Sequence, residues 1–109
     1  MTTATPQTPA RALAALGDET RWGILVRLGD APASASALAA ELPISRQAIV
    51  KHLETLRAVG LVETERHGRE IRYRPLGSRL SAIGRTLQDV AAAWDRRLAH
   101  IKSIAESGL

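Results

Sequence analysis

The side chains with the clearest chemical purpose stand together in the stretch Pro43 to Gly60, PISRQAIVKHLETLRAVG. Arginine can pair with guanine O6 and N7, glutamine with adenine N6 and N7, lysine can meet a phosphate, and valine can touch a thymine methyl. Arg46, Gln47, Val50 and Lys51 supply all four within two helical turns, behind Ser45. This set is expected to contact DNA, together with His67, Arg69 and Arg72 further along the chain. Taken in isolation the same residues also describe a solvated helix face, so their neighbours have to decide. Val50 is the single apolar residue of the set, whereas a helix that docks on another protein usually carries apolar anchors. A protein-interaction module is therefore the alternative reading.

Other chemistries find less material. No cysteine is present, which removes disulfides, thiolate ligands and thiol redox sensing. No nucleophile, base and orienting group come together and there is no phosphate-binding glycine loop, so no enzymatic activity and no cofactor are expected. The 109 residues suffice for one compact domain, and a net charge of +4 favours an anionic partner. Nothing at the N-terminus has the pattern of a signal peptide and no apolar run is long enough to span a membrane; a cytoplasmic location is expected.

The elements that must position the candidate residues are legible from periodicity and turn chemistry. Met1 to Pro9 is nearly devoid of apolar residues and is expected to be a mobile tail. A short helix from Ala10 to Leu16 follows, stopped by Gly17, with Asp18 as N-cap of a second helix from Glu19 to about Leu28. Ile24, Leu25 and Leu28 share its inward face, and Gly23 is either a close helix contact or a tolerated defect. Gly29 to Ser34 reads as a turn, and Ser34 can cap a helix from Ala35 to Leu42. Pro43 ends that helix. Ser45 then caps the next, in which Ile49, Leu53 and Leu56 face a core and Gly60 closes the last turn. Two helices joined by a short turn, the second exposing polar residues at its start, have the pattern of a helix-turn-helix.

After Gly60 the period changes to two. Leu61 to Arg66 and Glu70 to Arg74 read as strands around His67-Gly68-Arg69, with Gly68 supplying the positive φ of a tight hairpin. Arg66, Arg69, Arg72 and Arg74 make that hairpin locally basic and suited to gripping a phosphate backbone. Pro75 to Ser78 breaks the strand, and Ser78 is expected to cap a last helix from Arg79 to about Glu106. Leu87, Val90, Trp94, Leu98 and Ile101 continue an apolar stripe along it at intervals of three and four. Such a helix spans roughly 40 Å, more than so small a domain can cover, so a second copy of the chain is expected to cover part of the stripe.

These pieces, in this order, resemble the arsenic-repressor (ArsR) family of winged helix-turn-helix transcription regulators. The resemblance runs from Ala10 to about Ile104 and is carried by Leu16-Gly17-Asp18-Glu19-Thr20-Arg21, Ser45 through His52-Leu53, Gly60-Leu61-Val62 and Gly68-Arg69-Glu70-Ile71-Arg72-Tyr73. It implies a mainly α fold with a small β-hairpin, with residues 10–76 as DNA-binding core and 77–109 as dimerisation helix. It implies a homodimer held by the first and last helices, with Leu13 joining Leu87, Val90, Trp94, Leu98 and Ile101 at the interface. It also implies a recognition helix over Ser45 to Val59, a wing over Val62 to Arg74, and a repressor that binds an inverted-repeat operator and leaves DNA when an effector binds. Many relatives sense metals, and here the chain departs from them. Glu41-Leu42-Pro43 replaces the thiolate site, and in the last helix Asp95 and His100 are spaced too far apart to chelate from one face, with only Asp89 and Glu106 in addition. The resemblance is thus to a non-metal branch with no regulatory metal. His52 is read as a packing or hydrogen-bonding residue and Arg21 as an anchor for backbone or carboxylate groups.

Overall fold

The computed structural model describes residues 9–108; the tail expected over Met1 to Pro9 lies almost wholly outside them. The chain divides into a first unit that ends at Arg79 and a second that begins at Leu80. Among the described residues eight elements follow one another: α1 (Ala10–Leu16), α2 (Glu19–Asp30), β1 (Ala33–Ser34), α3 (Ala35–Glu41), α4 (Arg46–Ala58), β2 (Val62–His67), β3 (Glu70–Pro75) and α5 (Gly77–Glu106). The fold is mainly helical with one small antiparallel sheet, in the order β1-β3-β2.

Helix boundaries in the first unit follow local capping chemistry. The Asp18 carboxylate accepts from the Arg21 backbone N–H at 3.0 Å, and the Ser34 and Ser45 hydroxyls accept from Ala37 N–H and Ala48 N–H at 3.1 Å each. Each satisfies a donor that the first helical turn leaves orphaned. At the far end of α4, Gly60 adopts φ 76°, Gly60 N–H donates to Arg57 O and Leu61 N–H to Leu56 O. That pair of bonds is a Schellman motif, and it seats Leu61 beside the buried end of the helix. Ile24, Leu28, Leu38, Ile49, Leu53, Leu56 and Leu61 are fully buried, an aliphatic centre to which α2, α3 and α4 each contribute the face their spacing defines.

The structure departs from the sequence expectations at three places. α2 runs through Gly29 to Asp30 instead of stopping near Leu28, and Arg27 on its last turn makes a two-pronged bond to Glu41 of α3 at 2.6 and 3.0 Å. The same guanidinium donates from Nη1 to the Ala31 carbonyl at 2.9 Å, a tie at the helix end that helps to offset the weak helix propensity of Gly29. Ala33 and Ser34, expected as part of a turn, form a strand against Tyr73 and Arg72 of β3, and both are buried. Ser78 lies inside α5, which starts at Gly77, and does not cap it. Smaller shifts place His67 and Pro75 within the strands and Leu61 ahead of them. Gly23 is exposed and a Cβ there would meet nothing within 4 Å, which favours the tolerated glycine over the close helix contact.

Gly68 and Arg69 form the two-residue hairpin loop between β2 and β3, with Gly68 at φ 65°. A positive φ at the first loop position and none at the second is the pattern of a type II′ turn, whose twist matches the strands it joins. In the second unit, Leu87, Val90, Trp94, Leu98, Ile101 and Ile104 of α5 are all exposed.

Candidate nucleic-acid interface

α4 commits one side to the core and offers the rest. Ile49, Leu53 and Leu56 are fully buried, while Ser45, Arg46, Gln47 and Lys51 are exposed and Val50 is half-buried. Two core-directed bonds hold the helix in place. The Arg21 guanidinium donates from Nε to Ala15 O at 2.7 Å, approaches Asp18 at 3.8 Å and lies 3.5 Å from Nδ1 of His52 on α4. Arg21 thus anchors backbone and carboxylate, and His52 is a hydrogen-bonding residue, as expected. Backbone hydrogen bonding from Arg21 also holds the Asp18 carboxyl below its ordinary range.

The second tie runs to the wing, which β2 and β3 form. The Tyr73 hydroxyl donates to Glu54 Oε2 of α4 at 3.3 Å, and Tyr73 is buried between strand partners Ala33 and Thr64. Burial, and then the Glu54 carboxylate, push the Tyr73 phenol above its ordinary value, so it remains a donor. Strand alternation points to an inward Tyr73, but its partner nineteen positions away has no local signal.

Charges on the wing are distributed less evenly than its arginine count implies. Arg74 pairs with Glu63 at 2.6 Å and reaches Glu65 at 3.9 Å; His67 lies 3.2 Å from Glu65; Arg72 Nε donates to Glu70 at 2.8 Å. That last bond holds the Glu70 carboxyl below its usual range. Cross-strand pairing explains the Arg74–Glu63 bridge, since the two face each other in the register, while Arg72–Glu70 and His67–Glu65 each join residues two apart on one strand. Among the described residues, Arg46, Lys51, Arg66 and Arg69 have no carboxylate within ion-pair distance. Within α4 and the wing, the positive charges left without a carboxylate are thus Arg46 and Lys51 in the first two turns of α4 and Arg66 and Arg69 near the wing tip.

Between these two sites lies an open cleft of about 520 Å³, bordered by Ser36, Arg46, Val50, Arg69 and Ile71. Arg46 Nε donates to Ser36 Oγ on α3 at 3.0 Å, a bond between residues ten apart that sequence reasoning did not find. Of the residues expected to touch DNA, Arg46, Val50 and Arg69 border this cleft; Gln47 and Lys51 lie outside it on the exposed face; His67 and Arg72 are engaged by wing carboxylates. Among the expected interface residues, Leu13 of α1 is half-buried, in contrast to the exposed stripe on α5. No three His, Asp or Glu side chains among the described residues come together as a metal site would require, and no described helix is long and apolar enough to cross a membrane.

Comparison with known proteins agrees with this geometry. Residues 16–65 match a family described as a helix-turn-helix domain. The chain is 42% identical over 84 residues to the HTH-type transcriptional regulator CmtR of Mycobacterium tuberculosis, covering 76% of this chain and 71% of the relative. It is 35% identical over 103 residues to the HTH-type transcriptional regulator Rv2034 of the same species, covering 94% of each. Among solved structures, an ArsR-like transcriptional regulator from Rhodococcus sp. RHA1 superposes with a TM-score of 0.84 at 61% identity, over 88% of this chain and 91% of that one. With these identities and coverages, and with the capped helix and wing described above, the chain belongs to the ArsR family of winged helix-turn-helix transcription regulators.

Proposed function

We propose that the chain is a homodimeric, non-enzymatic repressor of the cytoplasm that binds an inverted-repeat operator by placing α4 in the major groove and the wing on the adjacent backbone. The observation that carries this reading is the division of α4 into a fully buried Ile49-Leu53-Leu56 side and an exposed side bearing Gln47 and Lys51. In it, Gln47 and Val50 meet base edges, while Lys51 and Arg69 meet phosphates. Among the described residues α4 has no exposed large hydrophobic side chain, which favours a nucleic acid over a protein partner. The exposed stripe on α5 supports self-association, and an effector other than a thiolate-bound metal suits a chain without cysteine.

Selection from random duplexes at stated salt tests the reading. Recovery of a two-fold symmetric sequence, with half-site centres about one helical turn or a small multiple apart, is the expected result. Enrichment of no sequence, or of an unsymmetric one, counts against it. A template carrying the selected site upstream of a promoter should then lose transcription when the protein is added; a gain would make the protein an activator.

A further inference from the structure

Arg46 is placed differently from its neighbours. With roughly 100° of turn per residue, Gln47 lies about 160° around α4 from the buried Ile49, whereas Arg46 lies only about 60° from it. Arg46 therefore flanks the core side of the helix, and its Nε–H is already committed to Ser36 Oγ at 3.0 Å. The terminal nitrogens keep their donors and have no carboxylate partner among the described residues. Arg69, at the second position of the wing loop, borders the same cleft and is likewise without one. Glu70 is the acidic group of this cleft, and its carboxylate is engaged by Arg72 at 2.8 Å. The exposed Ile71 adds apolar wall on the wing side. Two guanidinium groups without a carboxylate partner beside an apolar side chain match one nucleotide of a DNA backbone, with its phosphate on the arginines and its deoxyribose on Ile71.

We propose that the cleft between α3, α4 and the wing seats a single DNA backbone phosphate through Arg46 and Arg69, with Ser36 positioning Arg46, so that Arg46 grips DNA and does not read a base. This rests on the DNA-binding reading above and departs from the expectation that Arg46 pairs with guanine. It divides the start of α4 into a gripping residue, Arg46, and a reading residue, Gln47.

The test is a scan of the selected duplex with neutral methylphosphonates, one position at a time, using full-length wild type, Arg46→Ala and Arg46→Gln. For wild type, one position in each half-site should lower affinity roughly tenfold, the effect of removing a charge-assisted hydrogen bond. For both variants the penalty at that position should shrink, because Arg69 alone still meets the phosphate, the base-preference profile should be unchanged, and the salt slope should fall. Ser36→Ala should show the same pattern with a smaller drop in affinity. A changed preference at one operator base pair in either Arg46 variant would overturn the proposal, as would methylphosphonate and variant effects that simply multiply. Equal competition by inorganic phosphate for wild type and methylphosphonate duplexes would assign the cleft to a free anion and overturn it too. Failure of wild type to bind any duplex would bring down the DNA-binding reading itself, and this inference with it.

Discussion

Gln47 and Arg69 illustrate two kinds of DNA recognition that respond differently to removal. A bidentate amide on adenine discriminates by roughly 1 to 3 kcal/mol. Gln47→Ala should therefore lower affinity by up to about a hundredfold per half-site of the selected operator and relax preference at one position in each, with little change on unrelated DNA. Titrating both proteins against single-base-pair substitutions checks this, and superimposable profiles would make Gln47 a solvated bystander. Arg69→Ala should weaken all duplexes nearly alike and lower the salt slope by about one unit for each wing of the dimer. A third residue ties stability to pH. The folded Asp18 carboxyl titrates below its ordinary range because it accepts from the Arg21 N–H, so its contribution is present above the unfolded carboxylate range and is lost as pH falls through the folded value. Asp18→Asn keeps a capping oxygen and loses the charge. Its melting temperature should lie below wild type at neutral pH and converge on it in acid, and a gap constant with pH would refute the charge argument.

Among the elements, α2 and the hairpin loop make opposite predictions for glycine. Gly23 sits mid-helix and exposed, with nothing within 4 Å of a Cβ, so Gly23→Ala should raise stability by about 0.5 to 1 kcal/mol in denaturant titration. A decrease would show that another surface packs against that face of α2. Gly68 also has open space around its Cβ position, but its φ of 65° is one that L side chains rarely adopt. Gly68→Ala should then destabilise the hairpin through the backbone alone, and it should reduce DNA affinity by loosening the loop that presents Arg69. Equal stability of Gly68→Ala and wild type would mean that the loop relaxes to another turn.

For the whole molecule, the decisive feature is the second unit. α5 is 30 residues long, which corresponds to about 45 Å of helix, and its apolar stripe from Leu87 to Ile104 is exposed. Stripes of this size are seldom left in water, so a second copy is expected to cover this one. Trp94→Asp places a charge in its middle and should shift the sedimenting species from dimer to monomer at micromolar concentration. Its affinity for a full operator should drop towards that for a single half-site, because the two recognition helices would no longer be joined. An unchanged dimer mass would remove Trp94 from the interface.

Local order was legible without coordinates because its causes lie within a turn or two of each residue. The 3.6 period of Ile49, Leu53 and Leu56, the Ser45 hydroxyl three residues before Ala48 N–H, and the glycines at Gly60 and Gly68 each act over a few residues, and the structure places all of them as expected. Pairings between distant segments left no such trace. Ala33 and Ser34 become a strand only because β3 lies beside them, a two-residue strand being too short to show a period. Arg74 is engaged by Glu63 because the hairpin register sets the two opposite each other, whereas Arg72 bonds to Glu70 two residues away on its own strand. Arg46 and Ser36, ten residues apart, meet because the α3–α4 turn brings them together. Residue types along one chain determined which side chains were available for DNA; the distances between segments, set by packing, decided which of those charges remain free to meet it.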